Sequence, residues 1–326
     1  MPPALILADD ATGALECASL LSAYSRRSVR VIDTQSRHLS PAHAAAAIRP
    51  YAQTPILYKK TDSALRGNIA AELESLLPRT VVYIPAYPNL GRTVHNGHLF
   101  IHGVPIHQTD FARDPRHPVT SSRVASLFSQ SISIPAPHAL AEHLSQPAIL
   151  ICDAATNHDL TQLALSLQHA NAVVASPAGF LPHWAPLQNF KPASPPSVPA
   201  PTRWLVLCGS LHPQSLRQAQ HARSLTLAVL QTPLAPQPDP DAVAAQFAHH
   251  AKLVIEQRRP NGIIVMGGDT VFALWHALGV TEIVPLPERL PGVAASWSPQ
   301  LRILFLTKAG GFGGDTLVEQ ILDTFK

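Results

Sequence analysis

Residues 57–69 read LYKKTDSALRGNI, a short apolar segment that leads into a charged turn and then into a helical pattern. A strand followed by a turn and a helix brings Lys60, Asp62, Ser63 and Arg66 to the carboxyl end of that strand, where open α/β sheets bind ligands. Arginine can hold a carboxylate with two parallel hydrogen bonds, and aspartate can accept hydrogen bonds from hydroxyl groups. The segment therefore predicts an α/β fold with a site for a small anion; a solvated turn beside a capped helix is the alternative.

The rest of the first half continues the same alternation of apolar and amphipathic segments. Short segments rich in Val, Ile and Leu are typical of a parallel sheet that is covered by helices. The predicted strands are 5–8, 29–33, 56–59, 81–85, 149–153 and 172–175. The predicted helices are 13–25, 68–77 and 158–169.

A proline-rich segment separates the two halves of the chain. Seven prolines lie between positions 182 and 201, and this density disfavours regular structure. We expect domains at 1–185 and 203–326, joined by a linker at 186–202, each with a mostly parallel sheet covered by helices. The second set of strands is predicted at 204–209, 227–231, 262–268 and 302–308, and its helices at 213–223, 240–257, 271–278 and 315–325.

Composition narrows the class of protein. The 326 residues carry a formal charge of +3 without a tract of Lys and Arg, so a nucleic-acid surface is not indicated. No apolar segment approaches the ~20 residues that span a bilayer. The three cysteines lack metal spacing, and the start of the chain does not resemble a signal peptide. Several histidines lie at short spacing, but neither a cysteine nor an HExxH pattern accompanies them, so a zinc site is not indicated. We expect a cytoplasmic protein.

The segment ADDATGA at 8–14 follows the first predicted strand and opens a helix. Asp9, Asp10 and Thr12 lie at this turn, and Gly13 permits a close approach. An aspartate here can accept hydrogen bonds from a polyol or remove a proton from an attacking hydroxyl. Capping of the helix by Asp10 or Thr12 is the structural alternative.

Four segments carry a family resemblance, and they occur in the family's order. LYKKTDSALRGNIAAEL, LILADDATGA, IPAYPNLGRTVHNGHL and TDFARDPRHPVTSS resemble the four-carbon acid sugar kinases, which phosphorylate threonate, erythronate and their oxo relatives. The resemblance implies an N-terminal domain that binds a small anionic sugar acid and a C-terminal domain that binds ATP, with Mg²⁺ as cofactor. It also implies closure of the two domains over donor and acceptor.

The resemblance implies site residues in the first half. Asp10 and Asp62 are the candidate catalytic residues, and which aspartate acts as base stays open. Arg37, Lys60 and Arg66 are expected to hold the carboxylate. The full set of expected substrate contacts is Asp9, Arg37, Lys60, Thr61, Asp62, Ser63, Arg66 and Arg92.

Three glycine turns in the second half resemble the family's nucleotide contacts: CGS at 208–210, GGDT at 267–270 and KAGGFGGD at 308–315. Glycine lets backbone N–H groups approach a phosphate, and a helix N-terminus adds positive potential. The expected nucleotide contacts are Ser210, Gly267, Gly268, Asp269, Thr270 and Gly310. Asp269 and Gly311 depart from the family's usual glutamate and asparagine, and the segment between the first two turns is short.

Two other functions are compatible with the sequence. AGGFGGDTL distantly resembles the anion hole of ribokinase-like enzymes, in which Asp315 would be the base. The short second half is also compatible with a non-catalytic protein that binds a sugar acid or a nucleotide, or with an interaction protein. A homo-oligomer is possible under each of these functions.

Overall fold

The computed structural model describes residues 3–114, 116–232 and 240–325. Contacts divide the chain into two compact units. The first contains Met1–Cys17 and Tyr24–Ala193, and the second contains Ala18–Ala23 and Ser194–Lys326. The main division, after Ala193, falls inside the predicted linker 186–202, whose own bounds remain a prediction.

A seven-stranded sheet forms the first unit, and all of its neighbouring strands are parallel. The order across the sheet is β2-β1-β3-β10-β4-β9-β8. Its strands are β1 (Ala4–Ala8), β2 (Val29–Asp33), β3 (Leu57–Lys60), β4 (Val81–Tyr83), β8 (Ile132–Ile134), β9 (Ile149–Cys152) and β10 (Val173–Ser176). An antiparallel sheet of β5 (Arg92–His95), β6 (His98–Ile101) and β7 (Val104–Pro105) accompanies it.

Burial explains why these segments are strands. Every residue of β3, β4, β9 and β10 is buried, although successive side chains point to opposite faces. Both faces of the sheet centre are therefore covered, as parallel sheets require. The helices of this unit are α1 (Ala11–Leu20), α2 (Pro41–Ile48), α3 (Ile69–Glu74), α4 (Asn157–Leu167) and α5 (Leu181–Trp184).

The second unit contains a six-stranded mixed sheet with the order β12-β11-β13-β16-β15-β14. The first four strands of this order are parallel, and β15 and β14 are added antiparallel. The strands are β11 (Trp204–Cys208), β12 (Ala228–Gln231), β13 (Gly262–Met266), β14 (Val284–Leu290), β15 (Val293–Ser298) and β16 (Ile303–Lys308). The helices are α6 (Pro213–Ser224), α7 (Pro240–Arg258), α8 (Gly268–Leu278) and α9 (Leu317–Asp323).

The predicted fold class, two α/β domains with mostly parallel sheets, is confirmed. All ten predicted strands are present within two residues of their predicted ends. Three predicted ends were wrong: α1 stops at Leu20 rather than 25, α3 covers only six residues, and α8 begins at Gly268 rather than 271. The antiparallel strands β5, β6, β7, β14 and β15 and the parallel edge strand β8 were not predicted. Among the described residues, no helix has the length and apolar character needed to cross a membrane.

Candidate functional site

Charged residues gather at the carboxyl ends of three neighbouring strands of the first unit. Asp9 and Asp10 follow β1, Lys60 ends β3, and Arg37 lies in the loop after β2. Because β1 lies between β2 and β3, these side chains meet at the carboxyl ends of the three strands. The convergence predicted from residues 57–69 is present, and it includes the turn after β1.

Arg37 is the centre of this cluster. Its guanidinium holds Asp9 with two bonds, Nε to Oδ2 at 2.7 Å and Nη2 to Oδ1 at 3.0 Å, and its Nη1 donates to Asp10. Nη2 also lies 3.7 Å from Oδ2 of Asp62. The side chain is nearly buried, so this two-bond geometry is shielded from water. Arg37 therefore orients three carboxylates at once.

Lys60 approaches the same two aspartates more loosely. Its Nζ lies 3.9 Å from Oδ1 of Asp9 and 3.8 Å from Oδ1 of Asp10, beyond hydrogen-bond distance. Gly13 makes room for this ammonium group, because a Cβ at that position would lie 2.4 Å from Nζ. Burial lowers the pKa of Lys60, but Asp10 and Asp9 more than compensate and raise it. Among the described residues, this cation has no acceptor at hydrogen-bond distance, and it faces the turn after β1.

Asp62 and Arg66 form a second pair in the turn after β3. Arg66 donates to Asp62 through Nη2 at 2.8 Å and Nε at 3.1 Å, and to Oδ2 of Asp114 through Nη1 at 3.2 Å. Oδ1 of Asp62 also accepts the backbone N–H groups of Ala64 and Arg66. The ring of Phe111 lies 5.2 Å below the guanidinium. These contacts together fix the orientation of the Arg66 guanidinium group.

These ion pairs fix the protonation of the cluster. Burial raises the pKa of Asp9, but Arg37 and Lys60 outweigh burial and hold it well below its usual range. Burial also raises the pKa of Asp62, and Arg66 and Arg37 reverse that effect strongly. Both carboxylates are consequently ionised near neutral pH and are weak bases.

Arg92 lies in the first unit and has the least satisfied guanidinium of the expected residues. Its Nη1 donates to the carbonyl of Leu90, while its buried Nε has no acceptor among the described residues. Burial lowers the pKa of Arg92, although Asp62 partly opposes this. A buried N–H without a partner costs stability unless a ligand accepts it. Arg92 is therefore suited to bind an anion.

The other expected contacts of the first unit lie in the same turn, with more modest roles. Thr61 is fully buried, and its backbone N–H donates to the carbonyl of Ser176, which ties β3 to β10. Ser63 is half-buried. Asp10 also caps α1, because its Oδ1 accepts the backbone N–H of Gly13 at 2.9 Å. Asp10 can therefore cap α1 with Oδ1 and still be available to contact a substrate hydroxyl.

Three charged residues near the cluster escaped the sequence analysis. Glu16 on α1 accepts a hydrogen bond from the Tyr87 hydroxyl at 3.1 Å, and burial raises its pKa against the opposing effect of Lys60. Its position three residues after Gly13 puts it on the same helix face, and this spacing could have identified it. Asp114 binds Arg66. Lys59 points away from the cluster and pairs with Glu72 at 3.0 Å.

The glycine turns of the second unit follow β11, β13 and β16, at the carboxyl ends of three neighbouring strands. The N–H groups of Gly209 and Ser210 donate to the carbonyl of Met266, and the N–H of Gly267 donates to that of Lys308. A Cβ on Gly209 would lie 1.8 Å from Oγ1 of Thr270. The turns are therefore packed against one another at Gly209, where there is no room for a side chain.

The N-terminus of α8 is the feature of these turns that suits a phosphate. Gly267 precedes the helix with a φ of 117°, a conformation that favours glycine. The first N–H groups of an eleven-residue helix have no helical acceptor and carry a partial positive charge. Gly268 and Thr270 lie in this first turn, and the side chain of Asp269 lies outside the described residues.

Lys308 organises the third turn from beneath. Its fully buried Nζ donates to the carbonyls of Ala309, Gly310 and Phe312 and to Oγ of Ser215. Burial lowers the pKa of Lys308 to about 7, with a small opposing effect from Cys208. Three carbonyl acceptors around one amine favour the protonated form, so we assign Lys308 as an ammonium that holds the turn at Gly310.

Asp315 is exposed on the surface of the second unit. Its Oδ1 accepts from Gln214 at 2.9 Å and from Arg217 at 3.1 Å. The Gln214 hydrogen bond, followed by that of Arg217, lowers the pKa of Asp315. An exposed, ion-paired carboxylate has little basicity, so this geometry does not favour a catalytic base at Asp315.

Comparison with known proteins identifies both halves of the chain. A family described as sugar-binding N-terminal domain matches residues 4–184, and one described as nucleotide-binding C-terminal domain matches residues 227–318. A D-threonate kinase of Salmonella typhimurium is 29% identical over 260 residues, which are 67% of this chain and 60% of that protein. A D-threonate kinase of Bordetella bronchiseptica is 28% identical over 361 residues, covering 92% of this chain and 87% of the relative.

A solved structure has the same fold. It is a domain of unknown function from Bordetella bronchiseptica, described as a domain-swapped dimer with bound citrate. It is 24% identical to this chain, covers 100% of this chain and 98% of its own, and superposes with a TM-score of 0.53. The family resemblance predicted from the four sequence segments is confirmed. The chain belongs to the family that combines a sugar-binding N-terminal domain with a nucleotide-binding C-terminal domain.

Proposed function

We propose that this protein is an ATP-dependent kinase that phosphorylates a hydroxyl group of a small, four-carbon sugar acid such as threonate, erythronate or an oxo-tetronate. The observation that carries the proposal is the buried cluster of Asp9, Asp10, Arg37 and Lys60, continued by Asp62 and Arg66, at the carboxyl ends of β1 and β3. Carboxylates accept hydroxyl hydrogen bonds, and cations balance an acid group. The names of the relatives support the same reaction.

The cations of the site divide into two kinds. Arg37 and Arg66 already hold aspartates at hydrogen-bond distance, whereas Lys60 and Arg92 retain donors without a close acceptor in the described part of the chain. We therefore assign the substrate carboxylate to Lys60 and Arg92, and the orientation of the aspartates to Arg37 and Arg66. This revises the sequence-based expectation that Arg37 and Arg66 grip the carboxylate directly.

The two candidate catalytic aspartates are not equivalent. Asp62 accepts four hydrogen bonds, and its pKa is strongly depressed against the effect of burial by Arg66 and Arg37. Asp10 has fewer donors, and it faces Lys60. We assign Asp10 to the attacking hydroxyl and Asp62 to orientation of the turn. Phosphoryl transfer depends mainly on positioning and charge neutralisation, so a strong base is not required.

ATP is assigned to the turns of the second unit. Packed glycine turns at the carboxyl ends of β11, β13 and β16, with the N-terminus of α8, suit the phosphates of a nucleotide. Among the described residues, no group of three or more His, Cys, Asp or Glu side chains could hold a metal ion. Mg²⁺ takes most of its ligands from substrate phosphates and water, so we assign it to the ATP phosphates with at most one or two carboxylates.

An ATP-consumption assay with Mg²⁺ tests the proposal. The acceptors are the isomers of threonate and erythronate, 3-oxo-tetronate, and ribose as a neutral sugar. We expect turnover with at least one four-carbon acid and none with ribose. Measurable binding of an acid without turnover would support the non-catalytic alternative. Turnover of ribose that is lost in Asp315→Asn would instead support the ribokinase-like alternative.

The domain-swapped structure of the relative motivates a proposal about assembly. We propose that this chain also forms a homodimer. Light scattering of the purified protein across a concentration series checks this directly, because a monomer mass at every concentration would contradict it.

A further inference from the structure

A cavity of about 490 Å³ opens in the second unit at the amino ends of the parallel strands, whereas the glycine turns lie at their carboxyl ends. Arg203, Arg259 and Arg302 line it, and each lies just before a parallel strand: β11, β13 and β16. Trp297 and Ile255 supply apolar walls. The volume lies within the usual range for small-molecule sites, about 300–1,000 Å³. The cavity is independent of the proposed kinase reaction, which uses the carboxyl ends of the same strands.

The charge of this cavity is unbalanced. None of its lining residues is acidic, and none of the three arginines forms an ion pair with another described residue. The guanidinium groups of Arg259 and Arg302 make no hydrogen bond within the described part of the chain. The three arginines are exposed, so solvent screens part of their mutual repulsion, and a bound anion would remove the rest. Guanidinium groups are also the donors best suited to a phosphate or a carboxylate.

Two of these arginines occupy backbone conformations that favour glycine. Arg259 has a φ of 49° and Arg302 has a φ of 56°. A non-glycine residue in this region carries a conformational cost, which a contact made by its side chain can offset. Their backbone N–H groups donate to the carbonyls of Ile255 and Ser298, bonds that glycine would also form. The local backbone therefore does not explain the arginine side chains.

The floor of the cavity is rigid. Oδ1 of Asn261 accepts the backbone N–H groups of Thr202 and Arg203, and the carbonyl of Asn261 accepts from Leu304. Nε of Arg203 donates to the carbonyl of Arg259 at 2.8 Å, which leaves its terminal nitrogens for a ligand. These bonds join the starts of β11, β13 and β16. The three arginines are thus presented from a fixed frame.

We propose that this cavity binds a small organic phosphate, with the phosphate against the arginines and an apolar body against Trp297 and Ile255. Phosphate is favoured over a single carboxylate because it carries about two negative charges near neutral pH and offers three acceptor oxygens. The apolar part of the lining favours a ligand with a ring or hydrocarbon body over a bare inorganic ion.

Calorimetry of the full chain with phenyl phosphate tests the proposal, with inorganic phosphate and phenol as partial probes. We expect phenyl phosphate to bind more tightly than either fragment. Arg259→Gly and Arg302→Gly should each weaken it by about tenfold to a hundredfold, the loss of one charge-assisted contact. Their melting temperatures should stay equal or rise, because glycine relieves the positive φ.

Two control variants separate charge from backbone effects. Thr226→Gly relieves a comparable φ of 62° at an exposed position outside the cavity, and should leave phenyl phosphate binding unchanged. Arg258→Ala removes a charge beside the cavity without altering its lining. No binding to the parent protein would overturn the proposal. So would unchanged binding of phenyl phosphate in both arginine variants.

Discussion

The two units present their candidate sites at the carboxyl ends of parallel strands, but they build them from different materials. The first unit uses side chains: four cations and four carboxylates, most of them paired, within reach of β1 and β3. The second unit uses backbone: three glycine turns packed against one another, with one buried lysine that holds a turn from below. Under the proposed function, the first site would select its ligand by charge, and the second by the close approach of backbone.

This difference determines how substitutions at each site should lower stability and ligand binding. A charge removed from the first site leaves a partner unpaired in a buried environment, which is costly for both stability and binding. A methyl group added to the second site fills space that a phosphate or a neighbouring turn needs. Substitutions at the two sites should therefore have separable effects.

The largest effect is expected below the first site, at the ion pair of Lys59 and Glu72. Nζ of Lys59 is fully buried and lies 3.0 Å from Oε2 of Glu72. Lys59→Met leaves a buried carboxylate without its cation and should lower the free energy of unfolding by about 3–5 kcal/mol. Urea unfolding followed by circular dichroism measures this. Lys59→Met combined with Glu72→Leu should recover most of the loss, and equal stability of the single and double variants would contradict the account.

A smaller effect is expected on acid-sugar binding. Asp62→Asn and Arg66→Ala each weaken the pair that orients the turn after β3, whose closest contact is 2.8 Å, and each should weaken threonate binding by about 1.5–3 kcal/mol. ATP affinity should be almost unchanged. Arg113→Ala is the matched control, because its pair with Asp110 is largely exposed. Calorimetric titration decides, and unaltered threonate binding in both site variants would remove this turn from the substrate site.

The second site is probed by Gly209→Ala. The added methyl would lie 1.8 Å from Oγ1 of Thr270, and the overpacking should cost about 1–3 kcal/mol of stability and weaken ATP binding. Gly314→Ala is the control, since nothing lies within 4 Å of a Cβ there. A melting curve and an ATP titration are needed together. Full ATP affinity in a folded Gly209→Ala protein would contradict the assignment of this turn to ATP binding.

The smallest effect is a pH-dependent gain in stability at Asp33. Burial raises the pKa of Asp33 to about 6, aided by Asp10 and Asp9 and opposed by a hydrogen bond from Gln35. Because the folded pKa exceeds the unfolded value of about 3.9, stability is lost as pH rises through 6. Asp33→Asn should add about 1 kcal/mol at pH 7, allowing for partial exposure, and nothing at pH 4. Unfolding curves at both pH values measure this; equal shifts would contradict it.

The sequence predicted the strands well because central parallel strands are short apolar segments. It did not predict β14, where Pro285 and Pro287 interrupt the strand pattern. β14 is an edge strand, the one place in a sheet that tolerates proline. The partner β15 reads VAASWS, whose small residues give little alternation, although most of them are buried.

At the site, the sequence identified residue types but not their partners. Arg37 and Asp9 were both predicted to contact substrate, yet they lie 28 positions apart and bind each other through two hydrogen bonds. Lys59 and Lys60 are adjacent in sequence but point to opposite faces of β3, because side chains alternate along a strand. These pairings depend on tertiary structure, which a local motif does not specify.

The most direct test of the account is a crossed calorimetric titration of threonate and ATP against the parent protein, Arg66→Ala and Gly209→Ala. We expect the parent to bind both ligands, Arg66→Ala to lose threonate affinity and keep ATP affinity, and Gly209→Ala to do the reverse. If folded variants lose both ligands together, or if each loses the other's ligand, the assignment of acid sugar to the first unit and nucleotide to the second is wrong.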